Sequence, residues 1–373
     1  MEKKSMAATN EKVSNYIPDE ICYSILPKLS LKSLKRFECV QKSWCLLFKN
    51  HHFMNMFLNK FLSYNDPSSL IVKGVKNGKK VFYSFSGESI NGTFCLYAST
   101  HYPDIALWTP ATQTSKLVPS CEAVSLEMFI PNSVTYYIHG FGYDHAINDY
   151  KVIRYVDVSV DSSSDYSEVW MEELDCDPSW EIYSLRSDSW KKLQVDMPYS
   201  LQCNDGTQVY MDGVCHWLCE EDYEECEDYH YTCLVSFYLS NEEFFVTPIP
   251  SDEDDCFDTK ASWINLAVLN KSITLISYHK ETTIFHISIL SEFSVKESWT
   301  KLLIVGPLSC VKRPFGVGMK GEIVFIRKDE KLVWLDLSTQ MTAELGYKGE
   351  LNNYSSRIII YKENILPIEG ISN

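Results

Sequence analysis

"TQVYMDGVCHWLC", Thr207 to Cys219, holds two short apolar runs separated by Asp212 and Gly213. It reads as a strand, a tight turn and a strand. The same half-unit recurs in "INLAVLNKSITLISY", "PFGVGMKGEIVFIRK" and "SRIIIYKENILPI". A second kind of half-unit alternates apolar and polar residues, turns, and continues into a Trp- or Leu-rich strand. It appears in "IALWTPATQTSKLVP", "WEIYSLRSDSWKKL", "LVSFYLSNEEFFVTPIP", "IFHISILSEFSVKESWTKLL" and "KLVWLDLSTQMTAELGY". Successive units begin roughly 45 to 60 residues apart, the period of a four-stranded propeller blade. Six blades can be seeded, on "SINGTFCLYA", "HGFGYD", "TQVYMDG", "INLAVLN", "PFGVGMKG" and "SRIIIYKEN". The last lacks an outer pair, which "SLIVKG" and "KKVFYSFSG" could supply from the N-terminal side to close a ring. A sandwich of two sheets is the structural alternative.

Before residue 68 the period is helical. In "IPDEICYSILPKLSLKSLKRFECVQKSW", residues 17 to 44, Pro18 stands where a first helical turn tolerates it, with Asp19 and Glu20 beside the positive helix end. Ile17, Ile21, Ile25 and Leu29 follow at four-residue steps, and Cys22 and Leu26 add a second apolar row. Pro27 ends or bends this helix, and Ser30 suits the N-cap of a second one carrying Leu31, Leu34, Phe37, Val40, Trp44 and Leu47. "NHHFMNMFLNKFLS" continues as a connector. So small a unit cannot hide all of its apolar groups. The expected architecture is α+β and multi-domain: a tail over 1–14, a unit of about three helices with its connector over 15–62, and a large all-β, propeller-like domain of about six blades over 68–373.

The 373 residues are 45% hydrophobic, as a folded globular chain requires, and no apolar run approaches a membrane span. The thirteen scattered cysteines read as reduced thiols, and with no secretory signal the expected location is cytoplasm or nucleus. Net charge is −16, yet residues 1–65 hold ten basic residues against five acids, so the excess acidity lies in the β body. An acidic body repels phosphates. It argues against nucleic acid and anionic membranes, and suits a basic protein partner.

Catalytic signatures are missing from this sequence. "GVGMKG", Gly316 to Gly321, has the dinucleotide glycine spacing, but a strand, "EIVFIRK", follows where a helix is needed. Cys215, His216, Cys219, Cys226, His230 and Cys233 are zinc-type ligands, yet a four-step separation along a strand spans roughly 13 Å, too far for Cys215 and Cys219 to share a metal. Cys219, Cys226, His230 and Cys233 could meet only if the acidic loop between them folded over, so they are read as thiols in strands and no metal is expected. No HExxH or GxSxG occurs, and the carboxylates run together in loops. No cofactor and no catalytic residue is expected.

The stretch from Ile17 to Trp44 resembles the F-box. It matches that pattern at Pro18, Glu20, Ile25, Leu26, Lys28, Leu29, Lys32, Ser33, Leu34, Arg36, Phe37, Cys39, Val40, Lys42 and Trp44, and departs from it at Ile17, Ser30 and Glu38. The remainder, with "LWTPATQTSKLVP", "GFGYD", "NDYKVIRY", "EIYSLRSDSWKKL" and "GVCHWL", is similar to the F-box-associated domain of a large plant family that includes S-locus F-box proteins and chains labelled F-box/kelch. The double glycine of a kelch repeat is missing. The resemblance implies a non-catalytic subunit of an SCF-type ubiquitin ligase, docked on a Skp adaptor and through it on a cullin, with the β domain holding a protein substrate for degradation; a ligand- or sugar-binding propeller and a non-degradative F-box scaffold are the alternatives. The expected adaptor surface is Ile17, Pro18, Ile21, Ile25, Leu29, Leu34, Val40 and Trp44, of which Leu34 and Trp44 could serve the internal core instead. The expected substrate face is two acidic loops, one with Asp222, Glu224, Glu225, Glu227 and Asp228, the other with Asp252, Glu253, Asp254 and Asp255.

Overall fold

The computed structural model describes residues 17, 19–26, 37, 40, 42, 44, 46, 70–72, 84–85, 89–99, 102–120, 134–158, 178–194, 208–221, 230–249, 261–269, 271–294, 299–318, 321–337, 339–348, 358–361 and 368. The chain divides into two units, Met1–Pro67 and Ser68–Asn373. In the first, helix α1 spans Asp19–Ile25, and Phe37, Lys42, Trp44 and Leu46 are helical as well.

The second unit is built from strands. β1 (Leu70–Val72) opens it. Blade one is β2 (Ser84–Phe85), β3 (Phe94–Ser99), β4 (Tyr102–Thr109) and β5 (Thr114–Leu117); blade two is β6 (Val134–Asp144), β7 (Asp149–Val158), β8 (Ser179–Ser184) and β9 (Ser189–Lys192). Blade three is β10 (Gln208–Met211), β11 (Val214–Glu221), β12 (His230–Tyr238) and β13 (Glu243–Pro248). Blade four is β14 (Trp263–Leu269), β15 (Ser272–His279), β16 (Ile284–Leu290) and β17 (Trp299–Val305); blade five is β18 (Val311–Val317), β19 (Ile323–Arg327), β20 (Lys331–Leu335) and β21 (Thr342–Lys348). β22 (Ile358–Ile360) ends the series. Each of these blades is an up-and-down antiparallel meander, and the first strands adjoin: β10 lies beside β6 and β14, β14 beside β18, and β18 beside β22.

The described residues form five four-stranded blades, not the six expected from the sequence. The sixth seed, "SRIIIYKEN", supplies β22, which among the described strands pairs antiparallel with β1 alone, Leu70 opposite Ile360 and Val72 opposite Ile358. "SLIVKG" thus closes the chain onto itself as expected. Of "KKVFYSFSG" the described residues, Ser84 and Phe85, enter blade one, opposite Tyr97 and Leu96, and the others lie outside the described residues. The seeds counted hairpins, and a hairpin without a second half-unit makes no blade.

Strand alternation builds the seams. On β7, Val152 packs in the core shared with blade one and the next residue, Ile153, in the core shared with blade three; both are fully buried. On β11, Trp217 faces blade two while Leu218 faces blade four. Strands buried on both faces read as continuous apolar runs. Blades four and five share a core around Ile276, Phe285, Ile323 and Phe325. The last seam is aromatic: Phe94 of blade one stacks on Tyr361, just beyond β22, at 5.3 Å.

The glycines of "HGFGYD" have a seam explanation. A Cβ on Gly140 would meet Cys215 Cβ at 2.8 Å, and one on Gly142 would meet the Tyr210 ring at 2.6 Å. Blade two therefore approaches blade three closely at its inner strand. Tyr210 cannot step aside freely, because its hydroxyl donates to the Tyr143 carbonyl at 2.6 Å and accepts from Gly213 N at 3.0 Å. Asp212 and Gly213, at φ 48° and 87°, make the tight turn of the opening sequence. Both positions lie in the left-handed region that such hairpin turns require.

Buried charges cross the same region. Lys151 Nζ donates to the Leu239 carbonyl at 2.7 Å and pairs with Asp144 at 3.0 Å and Glu242 at 3.4 Å; Lys191 also reaches Glu242, at 2.6 Å. Within blade two, Arg154 gives two hydrogen bonds to Glu181 Oε2, at 2.9 and 2.7 Å, with its guanidinium 3.6 Å from the Trp190 ring centroid. Desolvation opposes ionisation of Glu242, but the hydrogen bond from Lys191 and the charges of Lys151 and Lys191 outweigh it, holding its carboxyl below the ordinary value. A depressed folded-state pKa stabilises the fold above the unfolded-state value and stops doing so as pH falls through the folded one.

Two outcomes are expected. Gly142→Ala should destabilise the ring by about 1–3 kcal/mol in denaturant titration, the usual range for overpacking. In acid titrations followed by circular dichroism, the stabilisation from Glu242 should be complete and independent of pH near neutrality and be lost as pH falls from the ordinary carboxylate range through its depressed folded-state value, and Glu242→Gln should flatten part of that fall.

Candidate binding surfaces

Helix α1 sorts the two apolar rows of its sequence. Cys22 and Leu26 are buried, at 3% and 5% exposure, whereas Ile17, Ile21 and Ile25 stand out at 47%, 45% and 51%. Positions four apart lie on one helix face, so Ile21 and Ile25 form a stripe that the N-terminal unit leaves uncovered, with Ile17 just before the first turn. Val40 is exposed at 67%. Trp44 is half-buried, its ring edge-on to Phe37 at 5.3 Å, which is internal packing. Pro18, Leu29 and Leu34 lie outside the described residues. Sequence reading passed over Leu46, exposed at 69%, because it falls between the apolar positions counted along the second helical stretch.

All nine acidic positions, Asp222, Glu224, Glu225, Glu227, Asp228 and Asp252 to Asp255, also lie outside the described residues. The strand ends that bracket the runs are described. Glu221 pairs with His230 at the end of the β11–β12 ladder, and Cys233, three residues along, pairs with Pro248 at the end of β13. The chain therefore leaves β11, re-enters β12 and leaves β13 at one end of blade three.

The titratable groups of the described seams are locked into packing. His216 is fully buried between blades three and four, its Nδ1 2.8 Å from Ser236 Oγ and its ring stacked on Phe293 at 5.2 Å. Burial pushes its pKa down to about 3, so it is neutral across the physiological range. Burial likewise raises the Cys95 and Cys215 thiols far above their ordinary value. Cys215 and Cys219 do share strand β11, and among the described residues no three metal-ligating side chains converge. "GVGMKG" lies at the β18–β19 connection, a hairpin with Gly321 at φ 83°. No described helix is long and apolar enough to cross a membrane.

Comparison with known proteins agrees with this architecture. The family described as the F-box associated beta propeller domain matches residues 42–365. F-box protein CPR1 of Arabidopsis thaliana is 24% identical, over 92% of this chain and 87% of its own. An F-box/kelch-repeat protein of the same plant is also 24% identical, over 81% and 82% of the two chains. Among solved structures, an oligogalacturonate lyase from Vibrio parahaemolyticus aligns over 68% of this chain and 62% of its own, at 11% identity and a TM-score of 0.39. With five four-stranded blades in the body and a family match across most of its length, the chain belongs to the plant F-box proteins with an F-box-associated β-propeller domain.

Proposed function

We propose that the protein is the substrate-recognition subunit of an SCF-type ubiquitin ligase, working in the cytoplasm or nucleus. The observation that carries this reading is the uncovered stripe of Ile17, Ile21 and Ile25, set against Cys22 and Leu26 on the buried side of the same helix. Fully burying one isoleucine side chain is worth about 1.5–3 kcal/mol. Three of them in a row make a surface that gains from being covered. A Skp-type adaptor covers it, and the adaptor joins the chain to a cullin.

The β propeller holds a protein substrate, and the mechanism requires no covalent chemistry from this chain. Holding the substrate near a charged ubiquitin-conjugating enzyme raises the effective concentration of its lysines. The substrate's recognition segment is basic, matched to the acidity of the β body and to Asp222, Glu224, Glu225, Glu227, Asp228 and Asp252 to Asp255. Val40 joins the adaptor surface. Trp44 supports it from inside, through Phe37.

Ile21→Ala and Ile25→Ala should each weaken adaptor binding by about 1–3 kcal/mol, the cost of truncating an interfacial anchor. The measurement is titration calorimetry of the full chain with a purified plant Skp protein, with circular dichroism to show that both variants fold. Undiminished binding by the double variant would refute the docking surface.

A further inference from the structure

The ladder between β11 and β12 sets Cys219 directly opposite Cys233. Both side chains are buried, at 1% and 4% exposure, in the core shared by blades two and three, and both carry reduced thiols. Residues opposed in an antiparallel pair have Cα atoms about 4.5–5.5 Å apart, inside the roughly 4.4–6.8 Å window of a disulfide. The register shifts between Cys219 and Glu220, and the ladder ends at Glu221 and His230. The pair therefore occupies the last regular rung of the ladder, and its oxidation requires local opening of that strand end, which costs less at a strand's end than at its centre.

We propose that Cys219 and Cys233 form a reversible redox pair, linking β11 to β12 when the thiol pool is oxidised. Glutathione disulfide is the oxidant. One cysteine thiolate attacks it, forming a mixed disulfide and releasing one glutathione thiol; the second cysteine then attacks the protein sulfur and releases the other. Two electrons pass from the protein thiols to glutathione, and the two thiol protons end on the two released glutathione thiols. Cross-strand bridges are strained and more readily reduced than relaxed ones, which suits a switch rather than a permanent staple. The device acts on the strands that bracket Asp222 to Asp228, and stands whether or not that acidic run holds a substrate.

The test incubates the folded, full-length chain with glutathione disulfide, blocks remaining thiols by alkylation and maps peptides by mass spectrometry. The expected result is a Cys219–Cys233 linked peptide, removed by dithiothreitol, with a thermal midpoint that rises on oxidation and returns on reduction. Cys233→Ser should abolish both changes. Should that variant fail to fold, the wild-type peptide map decides alone. Alkylation of both residues in the oxidised sample, a link that forms only after denaturation, or a zinc ion retained on these thiols in native mass spectrometry would overturn the proposal.

Discussion

A sheet with two apolar faces is stable only when both faces are covered, and that requirement organises the β body. Val152 and Ile153, neighbours on one strand, are buried against different blades, as are Trp217 and Leu218. Each blade is thus the cover for the next. A linear stack would leave its two outermost faces wet; a ring does not. Closure falls to two three-residue strands, β1 and β22, and to the Phe94–Tyr361 stack beside them. Ile368 extends this closure into the core between blades one and two.

Tight covering has costs that explain otherwise odd residues. Gly140 and Gly142 stand where a side chain would collide with blade three. Lys151 is buried with two carboxylates and a carbonyl as partners, because a lone buried ammonium would cost far more. The His216 ring and the Cys95 and Cys215 thiols are held by burial in their neutral forms inside the packing. Helix α1 behaves in the opposite way: it buries one apolar row and leaves the other outside.

Much of this was legible in the sequence because turn chemistry and alternation are local. Asp212-Gly213 and Asn91-Gly92 announce inner hairpins, and each adopts the left-handed pair of φ values such turns need. The outer hairpins carry no such signal. Their left-handed residues include Gln113, Asp188, Glu242 and Gln340, the last two donating their amides at 2.8 Å to the Tyr238 and Asp336 carbonyls, and alternation alone reveals the flanking strands. The blade number was misjudged because it depends on how hairpins pair across nearly three hundred residues, which no local pattern encodes. On α1 the four-residue spacing identified both apolar rows, but spacing cannot say which row faces out; burial does.

Closure is the claim on which the ring stands, and a cross-link measures it directly. Ile71 and Ile359 are directly opposed in the β1–β22 pair. In a chain carrying Ile71→Cys and Ile359→Cys, mild oxidation should join these two positions within one molecule, identified by peptide mapping and by faster migration in a non-reducing gel. Failure of the two positions to join in the folded protein, or their joining only between molecules, would mean that the chain ends do not meet and that the ring is open.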